Sequence, residues 1–414
     1  MNIKITPQKL SGTVRVPASK SAAHRLLICA ALADGTSHIA GVDISRDITA
    51  TIEVLTAYGA QFDITDREII VTGIGGKKPP EQAVANCCES GSTLRFLIPV
   101  AAALGIRTRF LGEGRLPQRP ITAYLRELPP KGVSFSAEHL PLEINGQLQP
   151  GRYQLEGDVS SQYVTGLLFA LPLLKEDSEI QMLSRLESRP YVDMTIDSLR
   201  QFDIKIQETK TGFFVPGGQR FQAQHVTAEG DFSQAAFFYV ANALGSEIHL
   251  ENLNAASVQG DKQIVQISSE MQKAIQNGEP AGFLADTSDI PDLVPILAVL
   301  ATFGNRPSRI IGARRLALKE SDRLTATANL LNTLGGKVTV KEDGLEIEPV
   351  SSLRGGIVDS CGDHRIAMCA AIAATRCTGD VTILHGECVE KSYPRFYEDY
   401  QQLGGIIHVI ALEP

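Results

Sequence analysis

Apolar and polar residues along the chain follow a recurring pattern: an amphipathic stretch, a turn, then two short runs with alternating apolar positions. The clearest copies occupy residues 55–71, 199–215 and 331–347, and weaker copies begin at Leu125 and Tyr400. Helical spacing followed by alternation with a period of two predicts a helix and then a half-buried hairpin. Unrelated helix–turn–strand units are the alternative, but the offset from the last Leu to the turn is kept. We therefore predict a repeated α/β unit.

The repeats also indicate how the chain is divided into domains. Three copies fall before about residue 220 and at least two after it, and a chain of 414 residues has the length of two or more domains. The Gly pairs at 335–336 and 404–405 are suited to end the preceding helices. The sequence therefore predicts two domains of similar build.

Three further helices are predicted directly after short motifs rich in hydroxyl groups or glycine. The stretches 21–33, 93–104 and 365–374 are mostly apolar and of helical length. Their motifs would then lie at helix N-termini, where free N–H groups and the helix dipole favour an anion.

The charge of the chain narrows the class of ligand. The net charge is −8, which argues against a general nucleic-acid binder. Short basic segments nevertheless stand out at 17–25, 89–95, 318–324, 363–365 and 390–394. Lys and Arg beside hydroxyl groups bind compact, multiply charged anions. We expect a cleft for small phosphorylated or carboxylated molecules, assembled by the fold from distant segments.

Cysteine usage and hydropathy indicate the compartment. The seven cysteines are an odd number and form no C-x-x-C pair, so buried free thiols in a reducing compartment are expected. Residues 1–20 lack the apolar core of a signal peptide, and the apolar runs at 96–106 and 293–303 are too short to span a bilayer. These features predict a cytoplasmic protein.

Two acidic segments are candidates for proton transfer. Three acids in 286–293 precede an apolar stretch, and metal binding, helix capping or general-base chemistry would each explain them. No His or Cys lies near to support a metal site, and a general base is a sharper interpretation than a helix cap. The segment 319–323 is the densest charge cluster, and the Leu residues that flank it indicate that it is partly buried. In a partly buried cluster, opposite charges shift each other's pKa.

Taken in order, these motifs resemble the 5-enolpyruvylshikimate-3-phosphate synthase family of enolpyruvyl transferases over essentially the whole chain. The most specific pieces are Ser19-Lys20-Ser21 with Arg25, the segment 318–324 and the segment 363–368. The resemblance implies an α/β fold of two domains, each with three βαβαββ-type repeats around a pseudo-threefold axis. It also implies a discontinuous domain of 1–16 plus 230–414, an inserted domain of 17–229, and an active site in the cleft between them.

The resemblance further implies enolpyruvyl transfer from phosphoenolpyruvate to the 5-hydroxyl of shikimate 3-phosphate, with release of phosphate. Shikimate 3-phosphate would be bound by Lys20, Ser21, Arg25, Ser160, Ser161, Gln162, Ser188, Tyr191, Asp292 and Lys319. Phosphoenolpyruvate would be bound by Lys20, Gly91, Arg119, Gln162, Arg323, Arg365 and Lys391. Asp292 would take the hydroxyl proton and Glu320 would exchange a proton with the methylene carbon, with Lys20 as a further candidate acid. A monomer with no cofactor, metal, nucleic-acid or membrane partner is implied.

The sequence departs from the family pattern at Glu89 and Ser92, and three other functions are alternatives. Glu89 stands where many members carry Asn, and Ser92 where Thr is more frequent. The sister enzyme that uses UDP-N-acetylglucosamine carries a Cys in the loop corresponding to 112–120, which lacks one here, and an Asn where this chain has Ser21. A non-catalytic anion-binding relative would not need Asp292 and Glu320. RNA-end processing on a related repeat is disfavoured by the acidic net charge.

Overall fold

The protein has an α/β fold, described for residues 1–66 and 68–410 by a computed structural model. The helices are α1 Lys20–Leu32, α2 Arg46–Ala57, α3 Gly91–Leu104, α4 Thr122–Glu127, α5 Ser161–Ala170, α6 Arg189–Gln201, α7 Phe232–Ala243, α8 Gln263–Asn277, α9 Val294–Thr302, α10 Arg323–Thr333, α11 His364–Ala374 and α12 Phe396–Gln402. The strands are β1 Asn2–Thr6, β2 Ser11–Arg15, β3 Thr36–Ala40, β4 Gln61–Ile64, β5 Glu68–Thr72, β6 Gln82–Asn86, β7 Arg107–Leu111, β8 Val133–Phe135, β9 Leu142–Gly146, β10 Arg152–Leu155, β11 Ser178–Met182, β12 Gln207–Thr209, β13 Gly212–Val215, β14 His225–Thr227, β15 Glu247–Glu251, β16 Leu284–Asp286, β17 Ser308–Ile311, β18 Lys337–Lys341, β19 Gly344–Glu348, β20 Gly356–Asp359, β21 Val381–Leu384 and β22 Ile406–Ile410.

The chain divides into two compact units, each with a hydrophobic core of its own. One unit is Ala18–Glu229, and the other joins Met1–Pro17 to the chain from Gly230 onward. The first is called the inserted unit below and the second the discontinuous unit. The sequence had suggested boundaries after 16 and 229, and Pro17 falls in the discontinuous unit.

The inserted unit contains three four-stranded sheets of one topology. Their strand orders are β14-β3-β5-β4, β6-β7-β9-β8 and β10-β11-β13-β12. In each sheet the first two strands are parallel and the remaining pairs are antiparallel. Each antiparallel hairpin follows the helix that the sequence pattern predicted, namely α2, α4 or α6. The repeat is therefore present three times in this unit.

The discontinuous unit contains two sheets of the same topology and one smaller sheet. The orders β16-β17-β19-β18 and β20-β21-β1-β22 repeat the arrangement of the inserted unit. Among the described residues the remaining sheet is the parallel pair β15-β2. Strand β22, expected as half of a local hairpin, pairs instead with β1 from the start of the chain.

Helices α1, α3 and α11 begin close to where the sequence predicted helices after short motifs, and a side chain caps each of them. Ser19, Ser90 and Asp363 each accept a hydrogen bond from the backbone at the start of α1, α3 and α11. Such caps satisfy N–H groups that the helix itself leaves without partners. Gly335 and Gly404 follow α10 and α12 with φ of +93° and +87°, a conformation that favours glycine.

The cysteines and the helix lengths complete the description of the fold. All seven cysteines are free; four are buried, and Cys361 is exposed. Within the described ranges no helix is long and apolar enough to cross a membrane.

Candidate active site

Arg323 is the centre of an ion-pair network in the discontinuous unit. It is the first residue of α10 and only 2% exposed. Its Nε donates to Asp363 Oδ2 at 2.8 Å, its Nη1 to Asp292 Oδ1 at 2.9 Å and its Nη2 to Glu320 Oε2 at 2.8 Å. The planar guanidinium presents donors in a fixed fork, so one side chain can orient three carboxylates.

Asp292 lies between several cations at the start of α9. Its second carboxylate oxygen accepts from Arg365 Nη2 at 2.9 Å, and Lys319 Nζ lies 3.9 Å from Oδ1. Burial alone would raise the pKa of Asp292, but Arg365, Lys319 and Arg323 together hold it well below its usual value. Asp292 is therefore ionised at neutral pH, and three of the predicted cations converge on it.

Asp363 fixes the position of two of these arginines. It is fully buried, caps α11 by accepting from Arg365 N at 3.0 Å, and accepts from Ser321 Oγ at 3.0 Å and from Arg323 Nε. The sequence had singled out the motif 363–365 without giving Asp363 a role. Its carboxylate holds Arg323 and the start of the helix that carries Arg365.

Lys391 approaches the same helix from another segment. It is 6% exposed and lies at the end of the turn Gly386–Lys391, which packs against α11. A buried lysine needs counter-charges or polar partners. Lys391 thereby lies in a turn that packs against the helix of Arg365, another residue predicted for the anion site.

Asp261 is a further buried carboxylate that the sequence did not reveal. It precedes α8, is 3% exposed and accepts a hydrogen bond from Ser233 Oγ. Its Oδ1 has no hydrogen-bond partner among the described residues. Burial, followed by the charge of Asp292, raises the pKa of Asp261 to about 7. A lone Asp before a helix carries no sequence signal of this burial.

We expect Asp261→Asn to stabilise the protein more at pH 8 than at pH 5. The unfolded carboxyl group ionises near pH 3.9, whereas the folded group keeps its proton until about pH 7. Stability therefore falls as the pH rises from about 4 to 7, and the amide removes this loss. Urea unfolding at both pH values measures it. The exposed Glu251→Gln is the control, and an equal gain at both pH values for Asp261→Asn would contradict the expectation.

In the inserted unit, Arg25 joins α1 to α6. Its Nε donates to Thr195 Oγ1 at 2.8 Å, and its two Nη atoms donate to the carbonyl oxygens of Ser21 and Tyr191 at 2.6 and 2.8 Å. Burial lowers the pKa of Arg25 to about 10, which still leaves it charged at neutral pH. Three residues predicted to bind the same substrate are thus brought together, and Thr195 joins them.

Lys20 is oriented by a carboxylate that the sequence did not single out. Lys20 Nζ lies 2.7 Å from Oδ2 of Asp47, which is in the first turn of α2. The Lys20 side chain is 18% exposed and that of Asp47 is 7% exposed. The ion pair restricts a flexible side chain to one direction while part of that side chain stays exposed.

Gln162 is fixed between the starts of α3 and α5. Arg95 Nη1 donates to Gln162 Oε1 at 2.7 Å, and Gln162 Nε2 donates to Ser92 Oγ at 3.0 Å. Arg95 Nη2 also donates to the carbonyl oxygen of Pro120 at 2.9 Å. These bonds tie Gln162 to the neighbours of two other predicted residues, Gly91 and Arg119. Arg95 belonged to a motif noted in the sequence but was not proposed as a site residue.

Gly91 allows a close approach of Arg119. A Cβ atom at residue 91 would lie 2.6 Å from Arg119 Nη1, closer than side-chain atoms pack. Glu89, two residues before Gly91, places its carboxylate beside Gly114. Next to it, the backbone N of Glu113 donates to the carbonyl oxygen of Cys88 at 2.7 Å. The unexpected Glu therefore contacts the loop that carries Arg119.

Three predicted serines lie at helix starts in the same unit. Ser160 caps α5 by accepting from Gln162 N at 3.3 Å, and Ser161 is the first residue of that helix. Ser188 precedes α6 with a φ of +56°, a strained conformation for serine, and is 3% exposed. Each serine presents a hydroxyl group where free backbone N–H groups also favour an anion.

Each unit therefore collects its own share of the predicted residues. In the inserted unit, short contacts or immediate neighbours connect two groups of predicted residues: Lys20, Ser21, Arg25 and Tyr191, and Gly91, Arg119 and Gln162. In the discontinuous unit they connect one group: Asp292, Lys319, Glu320, Arg323 and Arg365. Within residues 1–66 and 68–410 no group of three or more His, Cys, Asp or Glu is arranged to hold a metal ion.

Comparison with known proteins finds close relatives over nearly the whole chain. The chain is 42% identical over 416 residues to 3-phosphoshikimate 1-carboxyvinyltransferase of Clostridium perfringens, covering 97% of this chain and 98% of that protein. It is 44% identical over 420 residues to the enzyme of that name from Clostridium kluyveri, covering 98% of both chains.

Structural comparison and a family model complete the identification. A solved EPSP synthase from Acinetobacter baumannii, at 24% identity, has the same fold with a TM-score of 0.80 and covers 98% of this chain and 99% of its own. The family model described as EPSP synthase (3-phosphoshikimate 1-carboxyvinyltransferase) matches residues 5–400. The sequence resemblance is thereby confirmed, and the chain belongs to the EPSP synthase family.

Proposed function

We propose that this chain transfers the enolpyruvyl group of phosphoenolpyruvate to the 5-hydroxyl of shikimate 3-phosphate, giving 5-enolpyruvylshikimate 3-phosphate and phosphate. The observation that carries the proposal is Asp292, a carboxylate held by Arg323, Arg365 and Lys319. An ionised base surrounded by cations suits a reaction between two polyanions in which a hydroxyl group of one attacks the other. Membership of the EPSP synthase family supports the same reaction.

Shikimate 3-phosphate is proposed to bind mainly to the inserted unit. Its phosphate would be bound by the hydroxyl groups of Ser160, Ser161 and Ser188 and by Lys20, while Ser21, Arg25, Gln162 and Tyr191 complete the pocket. The contacts of Arg25 with Ser21 and Tyr191 support this set, since they hold α1 and α6 in one arrangement. Asp292 and Lys319 would face the 5-hydroxyl group.

Phosphoenolpyruvate is proposed to bind where cations from both units meet. Lys20, Gly91, Arg119 and Gln162 would come from the inserted unit, and Arg323, Arg365 and Lys391 from the discontinuous unit. Arg323 and Arg365 are already charged and oriented by carboxylates, so little side-chain entropy would be lost on binding. One active site formed by both units, on a monomer, is part of the proposal.

Asp292 is proposed to become a stronger base when phosphoenolpyruvate binds. In the free protein its charge is stabilised by Arg323, Arg365 and Lys319, which keeps its pKa low. A bound phosphate and carboxylate would neutralise these cations, and the pKa of Asp292 would then rise towards the value that proton abstraction needs. The substrate would thereby activate the base.

Proton delivery to the methylene carbon is proposed to involve Glu320, with Lys20 as the other candidate acid. Glu320 is joined to Asp292 through Arg323, so one guanidinium orients both carboxylates. The tetrahedral intermediate would form when the hydroxyl oxygen attacks the enol carbon and the methylene is protonated. Loss of a proton from the methyl group and of phosphate would then give the product.

The cytoplasm is the proposed location of the reaction. All seven cysteines are free thiols, which persist in a reducing compartment. Burial raises the pKa of Cys29, Cys87 and Cys369 above the ordinary thiol value, so these thiols stay protonated and unreactive.

The test is phosphate release from phosphoenolpyruvate with shikimate 3-phosphate as acceptor, in the absence of added metal. UDP-N-acetylglucosamine in place of shikimate 3-phosphate is the parallel reaction. We expect release with shikimate 3-phosphate alone. Release with UDP-N-acetylglucosamine alone would assign the sister reaction, and a folded protein inactive with both would be a binding protein.

The family resemblance implies that the inhibitor glyphosate occupies the phosphoenolpyruvate site. Gly91→Ala is expected to weaken inhibition by glyphosate and, less strongly, binding of phosphoenolpyruvate. The added methyl group would displace the Arg119 guanidinium, which lies 2.6 Å from the Cβ position. We expect the wild-type protein to be sensitive to glyphosate, and the inhibition constant to rise about tenfold or more, equivalent to about 1.4 kcal/mol. Inhibition assays at varied phosphoenolpyruvate measure both constants.

The control for this change is Gly278→Ala. Gly278 has a left-handed backbone conformation, and a Cβ atom at this residue would have no atom within 4 Å. Its substitution strains the backbone but leaves both binding constants unchanged. Equal glyphosate inhibition of Gly91→Ala and the wild type would remove Arg119 from the inhibitor site.

A further inference from the structure

Four buried polar side chains form a continuous hydrogen-bonded chain through the inserted unit. His24 Nδ1 lies 2.8 Å from Thr51 Oγ1, which lies 2.7 Å from Thr93 Oγ1, which donates to Ser90 Oγ at 2.7 Å. His24 is 1% exposed and the three hydroxyl residues are inaccessible to solvent. The chain crosses from α1 through α2 to the start of α3.

The donors and acceptors of this chain can all be assigned. A hydroxyl group has one hydrogen to donate, and Thr93 uses its hydrogen on Ser90. Thr51 must therefore donate to Thr93, and His24 Nδ1 must donate to Thr51. Burial, the largest effect, lowers the pKa of His24 to about 3, so the ring is neutral and carries its single proton on Nδ1. All hydrogen bonds in the chain point towards Ser90.

The chain ends at the residue that fixes the start of α3. Ser90 Oγ accepts from both Oγ1 and the backbone N of Thr93, so its two lone pairs are occupied by one residue. Gly91 follows immediately and contacts Arg119. At its other end the chain begins on α1, the helix that carries Lys20 and Arg25. Thr51, the second residue of the chain, lies one turn of α2 after Asp47, the ion-pair partner of Lys20.

From this geometry we infer that His24, Thr51, Thr93 and Ser90 are positioning residues that set the distance between Lys20 and Gly91 in the phosphoenolpyruvate site. The inference rests on the proposed placement of phosphoenolpyruvate and deepens it. A buried hydroxyl group that loses its partner costs more than the bond itself contributes, so the chain has one favoured arrangement. Arg25 is oriented separately by Thr195 and by two backbone carbonyls. The contacts that orient Arg25 therefore lie outside the chain, whereas Lys20 is shared by both proposed substrate sites.

Substitution of Thr51, the second of the four residues, tests the inference. Thr51→Val keeps the side-chain shape and removes the hydroxyl group, whereas Thr51→Ser keeps the hydroxyl group. Thr51→Val removes both hydrogen bonds of the Thr51 hydroxyl group. We expect the KM for phosphoenolpyruvate to rise about tenfold and the KM for shikimate 3-phosphate to rise less, because only Lys20 is shared by the two sites. Thr51→Ser should restore the wild-type KM.

Thr108→Val separates positioning from general destabilisation. Thr108 is equally buried and donates to the carbonyl oxygen of Ile106 at 3.0 Å, outside the chain. We expect it to lower the melting temperature without changing the KM for phosphoenolpyruvate. A Thr51→Val variant that only loses stability, or whose KM rises equally for both substrates, would overturn the inference.

The ¹⁵N resonances of His24 give a second readout that needs no activity. In the wild type we expect Nδ1 to be protonated and Nε2 to be unprotonated from pH 5 to pH 9. Thr51→Val removes the acceptor, and the proton should redistribute towards Nε2. If the wild-type protein does not turn over the substrates, the proposed function fails. The hydrogen-bond chain is then judged on these resonances, and identical spectra of the wild type and Thr51→Val would refute it.

Discussion

Asp292→Asn is expected to lower kcat about 10³-fold while shikimate 3-phosphate still binds. A positioned general base contributes about 10²–10⁴-fold, and an amide of the same shape cannot accept the hydroxyl proton. Shikimate 3-phosphate would still bind because most of its proposed partners lie on α1, α5 and α6. Calorimetry is the measurement of choice for binding, since the chain contains no Trp to report it by fluorescence.

The pH dependence of the wild type provides a second check on Asp292. In the free protein Arg365, Lys319 and Arg323 keep its pKa well below the usual value. Bound phosphoenolpyruvate would compete for these cations. The pKa of the base in kcat should therefore lie above the pKa of the base in kcat/KM for phosphoenolpyruvate. Equal values would mean that the substrate does not activate the base.

Asp289→Asn is the matched control, three residues earlier in the same segment. This variant also replaces a carboxylate by an amide but leaves Asp292 unaltered, so we expect the wild-type kcat. A wild-type rate in Asp292→Asn would exclude Asp292 as the base. A loss of shikimate 3-phosphate binding as large as the loss of kcat would instead indicate a role in binding.

Arg323→Lys is expected to destabilise the discontinuous unit by about 3–5 kcal/mol, the range found when one partner of a buried ion pair is removed. Arg323 is 2% exposed and orients Asp292, Glu320 and Asp363. Lysine keeps the charge but lacks the planar fork, so it cannot reach all three carboxylates. Urea unfolding at neutral pH measures the loss.

The effect of Arg323→Lys should also depend on pH. Asp292 has a pKa below its unfolded value, so its ion pairs stabilise the protein above about pH 4 and this contribution is lost as the pH falls further. The difference between variant and wild type should therefore shrink below about pH 4.

Arg309→Lys is the control for the position of the charge. Arg309 pairs with Glu346 at 3.4 Å, but its side chain is 62% exposed, and exposed pairs contribute about 0–1 kcal/mol. Equal stability losses for Arg309→Lys and Arg323→Lys would mean that burial of the network is unimportant.

The Arg323 network and the His24 hydrogen-bond chain are stabilised by different interactions. The Arg323 network is built from charged groups, so its geometry depends on the balance between burial and ion pairing. The His24 chain is neutral, and its geometry depends on the single hydrogen of each hydroxyl group. Changes of pH should therefore affect the first network and leave the second unchanged.

Much of the fold was determined by local sequence. Alternating apolar residues predicted the hairpins after α2, α6 and α10, because side chains of a strand point alternately to the core and to solvent. The motifs that contain Ser19 and Ser90 predicted helix starts because a short polar side chain satisfies the first free N–H groups. The motifs at 17–25 and 318–324 identified the family because several specific motifs occurred in a fixed order.

Only the tertiary structure decided which partners those residues have. The pairing of β22 with β1, and of Lys20 with Asp47, joins segments whose separation no local pattern encodes. The burial of Asp261 depends on the packing of elements distant in sequence, as does the chain from His24 to Ser90. Sequence alone supplied the residue types that can bind anions and move protons. Their pKa values and directions follow from desolvation and from neighbours brought close by folding.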